Sequence, residues 1–231
     1  MGARRPRRRT SKRSVSPYTP AERRLIRRLR TPEAVQRFLN DTLAYNDEPK
    51  GPSLKSFREV VRQKNVHCLE AALFAAAVLE HHGYPPLLLS FESIDELDHV
   101  LFIYQKNGLW GSVARSRDPG LHGRRPVYRS LRDLAASYMA PFIDFTGEIT
   151  GYAPYDLREL AGCDWRFSAR NVWKLETTLL NIPHRKLRWK KARVERQRKW
   201  YRAWMAANPG KKPAEYAGRH RWSVLPRKFR G

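Results

Sequence analysis

Cys68 and His99 are the residues of this chain whose types and settings could do nucleophilic chemistry. Cys68 opens an apolar run, Cys68-Leu69-Glu70-Ala71-Ala72-Leu73-Phe74, that predicts a buried helix. His99 stands at the head of a predicted strand, residues 99–104. A thiol attacks a carbonyl group only as the thiolate, and a helix N-terminus or a nearby imidazole lowers its pKa. The two residues therefore predict a Cys68 nucleophile with His99 as its base.

A hairpin decides which side chains lie beside His99. Asn107-Gly108 predicts a two-residue turn between the strands 99–104 and 109–116. In that register Tyr104 faces Gly111, and Ser116 lies opposite His99 on the same face of the sheet. Ser116 is therefore the candidate for the group that orients the imidazole, whereas Asp98 points to the other face.

The elements that must position these residues are helices and short strands. Start and stop signals predict helices over residues 21–30, from Pro32 onward, from a Ser53 cap to Gln63, and over 68–82, 129–139, 170–180 and 184–207. A further strand is predicted over residues 87–91, and residues 142–164 are predicted to be turn and loop. This pattern favours an α+β fold in which the Cys68 helix packs on a small antiparallel sheet.

Charge divides the 231 residues into three parts. Residues 1–30 carry 12 lysine and arginine residues against one acid, a net +11, and residues 185–231 carry 17 against two, a net +15. The middle of the chain is near neutral, so the whole-chain charge of +24 resides at the two ends. We expect a basic, largely disordered N-terminal arm with a short helix (1–30), a globular domain (31–183) and a basic, tryptophan-containing C-terminal extension (184–231).

The two basic ends indicate a polyanionic partner. Residues 1–30 and 185–231 suit phosphate neutralisation, and the tryptophans among the C-terminal cations could stack on bases, so nonspecific binding of nucleic acid or another polyanion is one hypothesis. An anionic membrane surface is the alternative partner for such a helix. No metal or cofactor is expected, because the chain has no Cys-x-x-Cys or His-x-x-x-His spacing. With no transmembrane run, no signal-peptide core and two cysteines, a cytoplasmic protein is expected.

The order of several short motifs resembles the transglutaminase-like branch of the papain-like cysteine peptidase fold. It is most similar to a bacterial subgroup of mostly uncharacterised proteins, over residues 32–183 and neither arm. The motifs that carry the resemblance are Cys68-Leu69-Glu70-Ala71-Ala72, Asp98-His99-Val100, Leu109-Trp110-Gly111, Arg125-Pro126-Val127-Tyr128-Arg129-Ser130-Leu131-Arg132-Asp133-Leu134 and Ser137-Tyr138.

The resemblance implies a Cys-His-Asp triad that cleaves or transfers an acyl group from an amide, peptide or thioester. Cys68 would be the nucleophile and His99 the base, and a backbone N–H near Cys68 would help to hold the oxyanion. The family's usual aspartate falls at Ala114 in this chain. Three alternatives follow: Ser116 orients His99, a side chain from elsewhere does so, or the triad is degenerate and the domain is a noncatalytic module whose basic arms bind a polyanion.

Overall fold

The computed structural model of the chain describes residues 17–96, 98–144 and 146–210. Within these residues the protein has a mixed α+β fold, as the sequence predicted, with the Cys68 helix lying against an antiparallel sheet. None of the described helices combines the length and the apolar character that crossing a membrane requires.

The helices begin where capping residues start them. Thr19 and Thr31 cap the first two helices, each of which has a proline at its start, as the sequence predicted. The central helix, α4, begins at Cys68 with His67 as its N-cap, and a left-handed Gly83 ends the helical turn that follows it. The helices are α1 (Pro20–Arg28), α2 (Pro32–Asp41), α3 (Phe57–Gln63), α4 (Cys68–Leu79), α5 (Leu131–Ala136), α6 (Met139–Phe142), α7 (Trp173–Asn181) and α8 (Lys191–Ala207).

Six of the strands form one antiparallel sheet, in the order β6-β5-β4-β3-β7-β8. A separate parallel pair, β1 with β2, leads directly into the start of α4. The strands are β1 (Ala44–Tyr45), β2 (Asn65–Val66), β3 (Leu87–Ser93), β4 (His99–Lys106), β5 (Leu109–Val113), β6 (Arg124–Tyr128), β7 (Ile149–Asp156) and β8 (Arg185–Lys186).

The hairpin register predicted from Asn107-Gly108 is confirmed. Both turn residues have positive φ, at 52° and 75°, and β4 pairs with β5 so that Tyr104 faces Gly111. Side chains therefore alternate between two cores. Phe102 packs on the side of α4, whereas Leu101 packs on the side of α5.

Three predicted boundaries were wrong. Residues 149–156, predicted to be loop, form β7, because pairing with β3 outweighs the low strand propensity of Gly151 and Pro154. Ser53 does not cap α3; its hydroxyl bonds to Glu70, and Ser56 is the cap. Residues 185–186 pair with β7 rather than starting the last helix, which begins at Lys191.

The described parts of both basic ends pack on the domain. Ile26 and Leu29 of the N-terminal segment are buried in the core beside α4, and Arg58 forms a 2.9 Å ion pair with Glu22 of α1. Val194 of α8 is buried against α6. Residues 1–16, where most of the predicted disorder of the N-terminal arm falls, and residues 211–231 lie outside the described residues.

Candidate active site

Cys68 occupies the first position of α4 and its side chain is half-buried. The β1–β2 pair and the His67 cap fix the entry of the chain into this helix. The first N–H groups of a helix have no partner within it, and they give this end a partial positive charge. A thiol at this position is therefore accessible and is placed where a negative charge is stabilised.

Two imidazoles, those of His67 and His99, lower the pKa of the Cys68 thiol. Burial by itself would raise the pKa of the thiol. The hydrogen bonds and charges of the two histidines outweigh burial and lower its pKa to about 5. Cys68 is therefore a thiolate at neutral pH.

His67 was not predicted to belong to the site. Its Nε2 lies 2.8 Å from the carbonyl oxygen of Ser53, which can only accept, so Nε2 carries a proton. Nδ1 is left to accept from the Leu69 N–H at 3.3 Å while the ring is neutral, or to donate to the thiolate when the ring is charged. Burial would lower the pKa of His67, but the hydrogen bond and charge of Cys68 raise it to about 9. Both pKa shifts therefore favour a thiolate beside an imidazolium over a thiol beside a neutral ring.

His99 is buried, and a backbone carbonyl fixes its ring. Its Nε2 lies 2.9 Å from the carbonyl oxygen of Leu121, so Nε2 donates and Nδ1 is the nitrogen that faces Cys68. The rings of Phe91 and Tyr138 lie 6.3 and 6.2 Å from the imidazole. Both histidines of the site are therefore held in one tautomer by carbonyl oxygens.

The segment that carries the Leu121 carbonyl is held by buried donors. Arg124 donates to the carbonyl oxygens of His122 at 2.6 Å and Gly120 at 2.5 Å. The hydroxyl of Tyr138 donates to the same His122 oxygen at 3.0 Å, and the Arg124 guanidinium lies 4.0 Å from the Tyr138 ring. These contacts fix the residues on both sides of Leu121.

Gln36 of α2 connects this segment to β5. Its side-chain amide accepts from the backbone N–H of Ala114 at 2.9 Å and donates to the carbonyl of Ala114 at 2.8 Å. The side-chain oxygen of Gln36, Oε1, also accepts from the backbone N–H of Gly123 at 3.2 Å. A Cβ at residue 123 would collide with this amide, so the position requires glycine.

The structure separates Ser116 from the role predicted for it. The Ser116 hydroxyl accepts from the backbone N–H of Asp118 at 3.0 Å, and the contact to His99 Nε2 comes from Leu121. Asp98 accepts from the Ser93 N–H at 2.9 Å, in line with its predicted placement away from His99. Ala114 contributes its backbone to Gln36 and no polar side chain. A carbonyl thus takes the place of the expected carboxylate.

Tyr45 is a further polar group beside the thiol. Burial, followed by the charge of the Cys68 thiolate, raises the pKa of Tyr45 to about 12, so the phenol keeps its proton at neutral pH. The guanidinium of Arg115 lies 5.8 Å from the ring centroid. Tyr45 pairs with Val66, two residues before Cys68, so its protonated phenol belongs to the surroundings of the helix start.

A buried ion pair anchors the start of α4. The carboxylate of Glu70, which has no exposed surface, lies 3.0 Å from Lys55 Nζ and accepts from the backbone N–H groups of Lys55 at 2.8 Å and His67 at 3.0 Å. It also lies 3.5 Å from His67 Nε2. Glu70 therefore fixes His67 from both its backbone and its ring.

Among residues 17–96, 98–144 and 146–210, no three or more His, Cys, Asp and Glu side chains are grouped as a metal site would require. In comparisons with known proteins, no family model matches the chain and no curated protein matches it significantly.

Proposed function

We propose that this protein is a cysteine hydrolase or acyltransferase of the transglutaminase-like, papain-like type, acting on an amide, a peptide or a thioester through Cys68. One observation carries the proposal: a half-buried thiol at a helix N-terminus has its pKa lowered by two imidazoles, each of which has one ring nitrogen fixed by a backbone carbonyl. Structural cysteines have no need of such an environment, whereas nucleophilic ones do.

In the acylation step, the Cys68 thiolate attacks the carbonyl carbon and forms a C–S bond, and the C=O electron pair moves onto oxygen. Backbone N–H groups at the start of α4 are the donors proposed for this oxyanion. The intermediate collapses, the bond to the leaving group breaks, and a leaving amine takes the imidazolium proton. Acylation removes the thiolate charge that raises the pKa of His67, so the proton becomes easier to give up at this step.

In the deacylation step, His99 removes a proton from water or from an acceptor amine, which attacks the thioester carbon. The C–S bond then breaks and returns the thiolate, and the proton taken up by His99 passes by way of the Cys68 sulfur to His67, which regenerates the starting state. Leu121 keeps the Nδ1 of His99 directed at this reaction. A carbonyl fixes the tautomer but adds no full negative charge, so the imidazolium of His99 is stabilised less than it would be beside an aspartate.

Acyl-enzyme formation tests the proposal directly. The chain is mixed with p-nitrophenyl acetate and with a small acyl thioester, the released product is followed, and the acylated peptide is identified by mass spectrometry. We expect a burst of about one product per chain, acetylation of Cys68, and continued turnover.

Two variants sharpen this test. His99→Gln should still acylate at Cys68 but turn over slowly, because deacylation lacks its base. Cys163→Ala removes the other free thiol and should behave like the wild type. A steady-state rate in Cys68→Ala equal to that of the wild type, or acylation confined to Cys163 and lysines, would overturn the proposal.

A further inference from the structure

A cavity of about 470 Å³ lies between the α5 region of the domain and the start of the C-terminal extension. Its size lies in the range of ligand-binding pockets. Tyr128 and Arg132 line it from the domain, and Arg188, Trp189, Lys190 and Arg193 line it from the extension. Because both sides contribute, neither the domain nor the basic extension would form this cavity alone.

The cavity is strongly cationic. Four of its lining residues are arginines or a lysine, and in the described part of the chain none of these four takes part in an ion pair. The acid in the wall, Asp133, is bonded to the hydroxyl of Ser130 at 2.7 Å. Four cations against one carboxylate leave the cavity with a positive charge, and an anion is the ligand that this arrangement fits.

The start of α8 adds to the same charge. This helix of 17 residues has no side-chain cap at Lys190 and no acid in its first turn. Lys190, Lys191 and Arg193 instead add positive charge at the positive end of the helix dipole, an unfavourable arrangement without a bound anion.

Aromatic rings in the same wall favour an anion that carries flat groups able to stack on them. Trp189 is half-buried, and its Nε1–H donates to the carbonyl of Ile149 at 2.8 Å, which fixes the indole. The Arg193 guanidinium lies 6.0 Å from its centroid. A site that binds a single strand of nucleic acid has two components: cations that bind the phosphates and aromatic rings on which the bases stack. Here the cations lie beside the fixed indole of Trp189 and the ring of Tyr128.

The cations also continue beyond the cavity. Arg196, Lys199 and Arg202 are exposed along α8, so a polymer of phosphates would meet further charge. A lipid surface fits less well, because insertion into a bilayer needs a broad apolar face, whereas Val194 is buried and Trp189, Trp200 and Tyr201 are each partly covered by the core cluster that contains it. A single base needs only the open part of one ring.

We propose that this cavity and the adjoining face of α8 bind single-stranded nucleic acid, with phosphates on Arg132, Arg188, Lys190 and Arg193 and a base against Trp189. A duplex would satisfy the charges but keeps its bases stacked within the helix. The proposal does not depend on the chemistry of Cys68.

Fluorescence anisotropy of a labelled single strand of about 15 nucleotides, titrated with the full chain, tests the proposal. The pocket variant combines Arg132→Ala, Arg188→Ala and Lys190→Ala. The matched control combines Arg24→Ala, Arg27→Ala and Arg30→Ala, which also removes three exposed cations from the described chain but leaves the cavity intact. Thermal melting and the alkylation rate of Cys68 verify that both variants are folded.

The pocket variant should bind about tenfold more weakly near 0.1 M salt, and the slope of log affinity against log salt should fall by about 2, since each phosphate contact on a single strand contributes about 0.7. The control should change both quantities less. A strand carrying 5-iodouracil should crosslink on irradiation to the peptide that contains Trp189.

Three results would overturn the proposal. If the two triple variants lost equal affinity for the labelled single strand, the total charge of the chain, and not this cavity, would account for binding. Tighter binding of the matching duplex would remove the role of the indole. Binding to anionic vesicles that depends on the pocket residues, with no binding of the oligonucleotide, would assign the surface to membranes.

Discussion

Replacing Gln36 tests whether the Leu121 carbonyl positions His99. Gln36 makes three buried hydrogen bonds to backbone groups of Ala114 and Gly123, on either side of the segment that carries Leu121. Gln36→Ala leaves these groups without their partner. A buried unpaired polar group costs about 1 to 3 kcal/mol, and partial entry of water reduces the sum, so we expect a loss of about 3 kcal/mol in the free energy of unfolding.

The functional effect should exceed what instability alone explains. In folded Gln36→Ala, the segment that holds Leu121 becomes mobile, His99 loses its fixed tautomer, and deacylation by water should slow by about tenfold or more. The burst that reports acylation should change less, because His67 keeps its own contacts with Ser53 and Glu70.

Urea unfolding and burst kinetics at a temperature well below the transition measure the two effects. Asn40→Ala is the matched control: it removes the 3.0 Å contact on the other amide hydrogen of Gln36 and leaves the bonds to Ala114 and Gly123 in place. Asn40→Ala should cost about 1 kcal/mol or less and leave turnover unchanged. The reasoning fails if Gln36→Ala is destabilised as expected while its deacylation rate equals that of the wild type.

Three further predictions concern buried groups near the site. Lys55→Met should lower the free energy of unfolding, measured in urea, by about 3 to 5 kcal/mol. The double variant Lys55→Met with Glu70→Gln should be more stable than Lys55→Met alone, because it no longer buries an uncompensated carboxylate. Strictly additive losses of stability would argue against this pairing. Burial lowers the pKa of His122 to about 3. Below pH 6.5 His122 is therefore protonated in the unfolded chain and stays neutral in the folded chain, which favours unfolding. The free energy of unfolding should therefore drop by about 2 to 3 kcal/mol more between pH 6 and pH 4 in the wild type than in His122→Asn. Ser116→Ala should leave the deacylation rate unchanged, and a large drop would return the orienting role to Ser116.

Local chemistry made much of the fold predictable. The Asn107-Gly108 turn sets the β4–β5 register because its positive φ angles fit the twist of a hairpin. The caps at Thr19 and Thr31 are equally local. β7 was not predicted because it is stabilised by pairing with β3, whose residues lie far away in the sequence, and because Pro154 has a low propensity for strands.

The site was predictable only where side chains carry the chemistry. The candidate residues Cys68 and His99 could be singled out by type and setting, whereas the contact to His99 Nε2 comes from a carbonyl, which every residue possesses and only the fold can select. His67 had a usable signal: Glu70 three residues later completes a capping box and marks residue 67 as the N-cap. The basic cavity could not be predicted, because Tyr128 and Arg132 of the domain meet Arg188 and Trp189 of the extension only in the folded chain.

The pH dependence of Cys68 alkylation, followed peptide by peptide with iodoacetamide, tests most directly the claim that two imidazoles hold this thiol as a thiolate. Cys163 is the internal control, since burial and the charge of Asp164 raise its pKa. With a pKa of about 5 against an ordinary 9.0, Cys68 at pH 6.5 has about 300 times the thiolate fraction of an ordinary thiol. Its lower intrinsic nucleophilicity reduces the advantage in rate to about fivefold.

The account predicts a midpoint near pH 5 for Cys68 and one above pH 9 for Cys163. His67→Asn, which keeps a helix cap, and His99→Gln should each raise the Cys68 midpoint by about 1 to 3 pH units. A wild-type Cys68 midpoint at or above about pH 8, or one that neither variant moves, would contradict the claim.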